Sequence, residues 1–172
     1  MKKRMFNTYK QVGTMAVVDI STKKFPKAEM KIDLDVWLDL LDQGIGRCSD
    51  NGAGYAQTNF NGKQKQIHKI ITPHFNLTVD HINHDKLDNR LSNLRDASYE
   101  DQAKNNSLRK TNKTGVSGVI AYAGKKATTW RVRIRAEGKN LALGTFKTLA
   151  KATAVRKAAE VKYGYHPLHG AK

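Results

Sequence analysis

The sequence predicts an α+β protein made of two modules in series. Three observations predict it. Apolar residues recur with helical period around Trp37, a hairpin signal sits at Asn61-Gly62, and TTWRVRIRA alternates strictly between apolar and basic residues before an alanine-rich helical run.

The first 15 residues give little beyond a short strand at 15–20. KIDLDVWLDLLDQG reads as a helix capped by Asp33, with Leu34, Trp37, Leu38 and Leu41 at i, i+3, i+4 and i+7 and Gly44 as the stop. Trp37 is a core residue in this reading. GYAQTNFNGKQKQIHKII flanks Asn61-Gly62 with two strand-like segments. The second of these, IHKII, would hold His68 as a packed histidine. VDHINHDKLDNRLSNLR follows, then a helical pattern through LRDASYEDQAKNN. Residues 104–114 (KNNSLRKTNKT) are polar and basic and read as a linker. Three strands come next, at 115–122, 128–136 and 141–146, with turns at 124–126 and 137–139. A helix over 148–163 would close the second module, packing through Ala150, Ala154, Ala158 and Val161.

Composition narrows the function. Of 172 residues 39% are apolar, and no apolar run nears the ~18–20 residues of a membrane helix. MKKRMFNTYK starts basic but no hydrophobic stretch follows, which argues against a secretory signal. Cys48 stands alone, so an intramolecular disulfide and a cysteine-rich zinc site are excluded, and a reducing, cytoplasmic setting is expected. The net charge is +16 and it is segregated: 15 Lys+Arg against 13 Asp+Glu up to Gln102, then 16 against 2. Such asymmetry points to a polyanionic partner rather than a membrane surface.

In TTWRVRIRA, Trp130, Val132 and Ile134 share one face and Arg131, Arg133 and Arg135 the other, the arginines ~6–7 Å apart. Three cations in a row repel one another unless an anion lies across them, and a sheet of this width fits the DNA major groove. SGVIAYAGKKATTWRVRIRAEGKNLALGTFKTLAKATAVRKAAEVKYG resembles the ethylene-response-factor type of DNA-binding domain in its SGV opening, W-R-V-R-I strand, LGTF and alanine-rich helix. The resemblance implies a three-stranded antiparallel sheet packed on one helix that reads duplex DNA. The DNA contacts expected are Lys125, Lys126, Trp130, Arg131, Arg133, Arg135 and Lys139, with core packing the other reading for Trp130.

The segment VDHINHDKLDNRLSNLR joins an acid, a histidine and repeated Asn-Arg pairs. Phosphodiester hydrolysis asks for a base to activate water and a divalent cation to spread phosphate charge. A histidine suits the first task, and a carboxylate with a second oxygen donor suits Mg²⁺. The segment, with the IDLD entry and the hairpin before it, resembles the HNH homing endonucleases of phages and introns. That resemblance implies a ββα-metal-type domain over residues 1–103, a basic linker at 104–114 and the ethylene-response-factor-like domain at 115–172. It implies Asp80 as metal ligand, His81 as general base, Asn93 as the loop-fixing asparagine and Mg²⁺ or Mn²⁺, not zinc, as the cofactor. The second metal ligand of the family, nine residues after that asparagine, is His or Asn; here it is Gln102. His84 stands where the family often has glycine. Asn89, Arg90 and Arg95 would brace the fold or touch phosphate, with helix-capping or backbone-bonding the other readings for Asn89. Two functions stay open: a site-specific DNA endonuclease or nickase, and a domesticated endonuclease acting as a repressor. The partner in both is double-stranded DNA, for a monomer or a homodimer, in the cytoplasm of a bacterial host.

Overall fold

The structure, a computed structural model, describes residues 6–124 and 127–171. It is α+β, with small antiparallel sheets and four helices. Its contacts divide the chain into Met1–Ser98 and Tyr99–Lys172.

The first unit begins with β1 (Tyr9–Val12), β2 (Met15–Asp19) and β3 (Glu29–Asp33), which pair antiparallel in that order. The expected strand at 15–20 is β2; β1, fully exposed, gave no apolar signal. Ala16, Val18, Met30 and Ile32 alternate inward and are fully buried, the period-2 pattern of a half-covered sheet.

Helix α1 (Leu34–Asp42) covers that face with Trp37 and Leu40. Two expectations need correction. Asp33 stands at the N-cap position and α1 starts at Leu34 as the cap implied, with Lys31–Asp33 in β3, but the Asp33 side chain makes no capping bond. Its carboxylate instead accepts the Leu91 N–H at 2.7 Å, because a partner far along the chain lies closer to it than the helix donors do. Leu38 faces solvent at 42% exposure while Leu40 is buried, because the stripe meeting the sheet runs through Val36, Trp37, Leu40 and Leu41 and leaves Leu38 beside it.

β4 (Cys48–Asp50), β5 (Ala56–Phe60) and β6 (Lys63–Gln66) make a second antiparallel sheet. The β5–β6 turn has positive φ at both Asn61 and Gly62, the mirror-image turn whose twist matches the strands. IHKII is not a strand: α2 (Ile67–Ile71) turns there and buries Ile67 and His68. β-branched residues favour strands only weakly, and tertiary burial decides. Cys48 is buried, and desolvation pushes its thiol up to about 12.

β7 (Thr78–His81) pairs with β8 (Leu94–Ala97), and a single 3-10 turn at Leu91–Asn93 leads into β8. The helical reading from Asn93 onward therefore fails for Leu94–Ala97, where cross-strand partners override a four-residue pattern. Helix α3 (Tyr99–Lys104) starts only afterwards.

The second unit carries α3, then β9 (Val119–Ala123), β10 (Thr128–Ala136) and β11 (Lys139–Phe146), paired antiparallel in the order β11-β10-β9, with α4 (Leu149–Lys162) packed on them. Thr148 accepts the Lys151 N–H as N-cap. The packed face of α4 is Ala152, Arg156, Ala159 and Glu160; Ala150, Ala154 and Ala158 are exposed, and Val161 is 83% exposed. Alanines around the whole helix give no period, so only the sheet contact sets its phase. Among the described residues no helix is long and apolar enough to cross a membrane.

Candidate active site and nucleic-acid face

The β7–β8 hairpin encloses the segment Ile82–Arg90, which side-chain and backbone hydrogen bonds order together. Asn93 is buried, its Oδ1 accepts the Asn83 N–H at 3.0 Å, and its Nδ2 donates to the Asp88 carbonyl at 2.8 Å. The backbone adds Ile82 N–H to the Asn93 carbonyl at 2.9 Å. Asp88, 1% exposed, accepts both forks of Arg90 at 2.8 and 2.6 Å and the Asn83 amide at 2.9 Å. Burial alone would raise the Asp88 carboxyl, but the Arg90 and Asn83 contacts outweigh it and hold the group below the usual carboxylate range.

Strand β3 docks the far side of the loop. Lys31 N–H reaches the Leu87 carbonyl and Asn89 N–H reaches the Lys31 carbonyl, at 2.9 and 2.7 Å. His84 takes φ +66, a left-handed conformation that favours glycine and costs an L-residue about 1 kcal/mol. The turn is kept although the residue is not glycine.

Asp80 and His81 are consecutive on β7, so alternation sends them to opposite faces. His81 points inward and is 5% exposed, its ring 5.1 Å from the His68 ring and 5.9 Å from that of Tyr55. Burial lowers its pKa, against the opposing pull of the Asn89 hydrogen bond and of Asp80, Asp85 and Asp88. The imidazole is thus neutral at pH 7, the form able to take a proton. His68, equally buried, is pushed down to about 4, by burial first and then by His81 and Lys69. Asp80 faces the other way, and its Oδ2 accepts two bonds from Arg95, at 3.0 and 2.7 Å.

Residues 73–104 match the family model of the HNH endonucleases. The match supports a nuclease function on DNA. No curated protein and no solved structure matches this chain. HNH nucleases are metal-dependent, so the donors of the HNH segment can be tested against an ion. Among the described residues no three His, Cys, Asp or Glu side chains group to hold one. In the first unit the HNH segment offers the Asp80 carboxylate. A hard ion that keeps most of its waters needs few protein oxygens, so this donor fits once Arg95 leaves Oδ2. Gln102 lies half-buried on α3, in the second unit.

The basic residues divide sharply. Arg90 and Arg95 of the HNH segment are engaged by Asp88 and Asp80. In the second unit Arg131, Arg133 and Arg135 all stand exposed on one face of β10, as the alternation required. Arg131 lies over the Tyr122 ring at 4.6 Å, a contact the sequence reading missed. Trp130 is on the other face, packed against Val119, Val132 and Ala152. Lys139 pairs in register with Ala136 and so stands off the arginine row. Lys125 and Lys126 lie outside the described residues. Sequence reasoning also missed Asp33, Asn83 and Asp88, the residues that hold the loop. The D-K-L-D-N-R spacing was the available signal, since short Asp and Asn side chains bond backbone two residues on.

Proposed function

We propose that the protein is a sequence-specific, metal-dependent DNA endonuclease of the HNH homing type, with His81 as general base and Asp80 as metal ligand. The observation that carries this reading is the pair of hydrogen bonds that Asn93 makes across the loop, inside the segment that matches the HNH model. A loop fixed at both ends by one buried amide holds the backbone after the base in place, which positional catalysis requires. His81 is uncharged at neutral pH, poised to accept a proton from water. When bound, a divalent cation would supply charge for the phosphate and the leaving oxygen. Asp80, freed from Arg95, would hold it, and Arg95 would then be available to an incoming phosphate. The exposed row of Arg131, Arg133 and Arg135 supports duplex binding by the second unit.

A second reading, a domesticated repressor, is favoured by two observations. Arg95 occupies Oδ2 of Asp80, and His81 is 5% exposed, which leaves little room for an attacking water. The two part on one assay. Incubated with a library of duplexes and Mg²⁺ or Mn²⁺, the endonuclease nicks DNA, and His81→Ala abolishes the nicks while binding persists. Tight, selective binding with no nick under either ion overturns the enzyme and leaves the repressor.

A further inference from the structure

The second unit contains a recess of about 940 Å³ between β10 and the segment 106–114. Its lining includes Arg109 and Lys113 from that segment and Arg133 and Arg135 from β10, and among the described residues no carboxylate lines it. None of those four cations forms an ion pair among the described residues. The arginine that is neutralised here, Arg156, is buried against Glu160 and ties its guanidinium to the Arg133 carbonyl at 2.7 Å. The floor is thus braced while both rims keep open charge.

The outer wall has linker composition yet is fastened. Leu108 N–H donates to the Ala171 carbonyl at 2.8 Å, and Gly170 N–H to that of Asn106 at 2.9 Å. Asn112 Oδ1 accepts from Thr114 and Gly115 N–H at 3.0 and 2.7 Å, and its amide donates to the Val116 carbonyl at 3.0 Å. Thr114 Oγ1 donates to the Val119 carbonyl at 3.0 Å, pinning the segment to the start of β9. A wall held this way presents Arg109 and Lys113 without the entropy loss that ordering a mobile linker on binding would add.

We propose that this recess seats one sugar–phosphate strand of a nucleic acid. Unpaired cations on facing walls suit a chain with a charge on every residue, and Ile120 and Ala121 at the lining suit its sugars. A single small anion would leave most of the volume empty. The inference rests on the reading that the second unit binds DNA and adds a grip on the backbone beside the arginine face. It makes the residues 106–114 a strand clamp.

The test uses the full chain and a labelled 20-base-pair duplex, with the salt dependence of affinity read by fluorescence anisotropy between 50 and 300 mM KCl. Arg109→Gln with Lys113→Gln, both exposed positions, lowers the log–log salt slope by about 2, since each phosphate contact contributes about 0.9. Preference among duplex sequences stays unchanged. A matched pair on α4 outside the recess, Lys151→Gln with Lys162→Gln, leaves the slope at the wild-type value. Equal losses for the two pairs, or no loss for the recess pair, overturn the clamp while DNA binding stands. Poly-glutamate binding as tightly as duplex also overturns it. A wild-type chain that binds no nucleic acid removes the DNA reading itself, and the clamp with it.

Discussion

The HNH segment and the arginine face use the same kinds of side chain to opposite ends. In the segment, charged and amide groups are spent on each other: Asp88 on Arg90 and Asn83, Asp80 on Arg95, Asn93 on two backbone groups, Asp96 on the Asn76 and Leu77 N–H groups. On β10 the arginines stand exposed, and among the described residues none of them forms an ion pair. Buried polar groups must be paired or destabilise the fold, whereas exposed cations are tolerated and remain available. One region spends polarity on shape, the other keeps it for a ligand.

Removing a shape-giving group should therefore damage stability, and the largest effect is expected at Asn93. Asn93→Ala leaves the Asn83 N–H and the Asp88 carbonyl short of the amide that Asn93, itself buried, supplies, a loss of about 1–3 kcal/mol, read by urea denaturation of the full chain. A value under 0.5 kcal/mol would break the contrast. Acid should act on the same region. His68 has a pKa of about 4 in the folded chain against an ordinary 6.5, so between those values the unfolded chain binds more protons and stability rises with pH. It is fully present above pH 6.5, falls as pH drops below it, and is down by about 3 kcal/mol near pH 4. His81, also depressed, adds in the same direction. Denaturation midpoints at pH 7 and pH 5 should differ for the wild type and differ less for His68→Leu. The smallest expected effect sharpens the other side. Arg135→Ala should leave stability within about 0.5 kcal/mol, as surface changes do, while weakening duplex affinity in a binding titration.

Much of this was legible in the residues. Strict alternation in TTWRVRIRA placed the three arginines, because successive side chains of a strand point to opposite faces. Asn61-Gly62 announced its hairpin because few residues accept positive φ twice in succession. Other features were misread where two neighbours competed. IHKII became a helix and LRDA a strand because short segments follow their packing partners. The phase of α4 was invisible since its alanines carry no contrast, and Leu38 was put inside because its i, i+3, i+4 spacing fits an inward stripe that Val36 and Leu40 complete instead. Asp33 is the clearest loss: its position before a helix suggested a cap, and nothing in its neighbourhood pointed to Leu91.

By itself the sequence determined the segregation of charge, the sides of β10 and the hairpin turn. Those depend on residue type and on neighbours one to four positions away. Only the tertiary structure decided that Arg95 sits on Asp80, that His81 turns inward beside His68, and that residues 106–114 form a fastened wall. Each of these joins groups far apart in the chain or sets a direction that burial selects, and no local period encodes it.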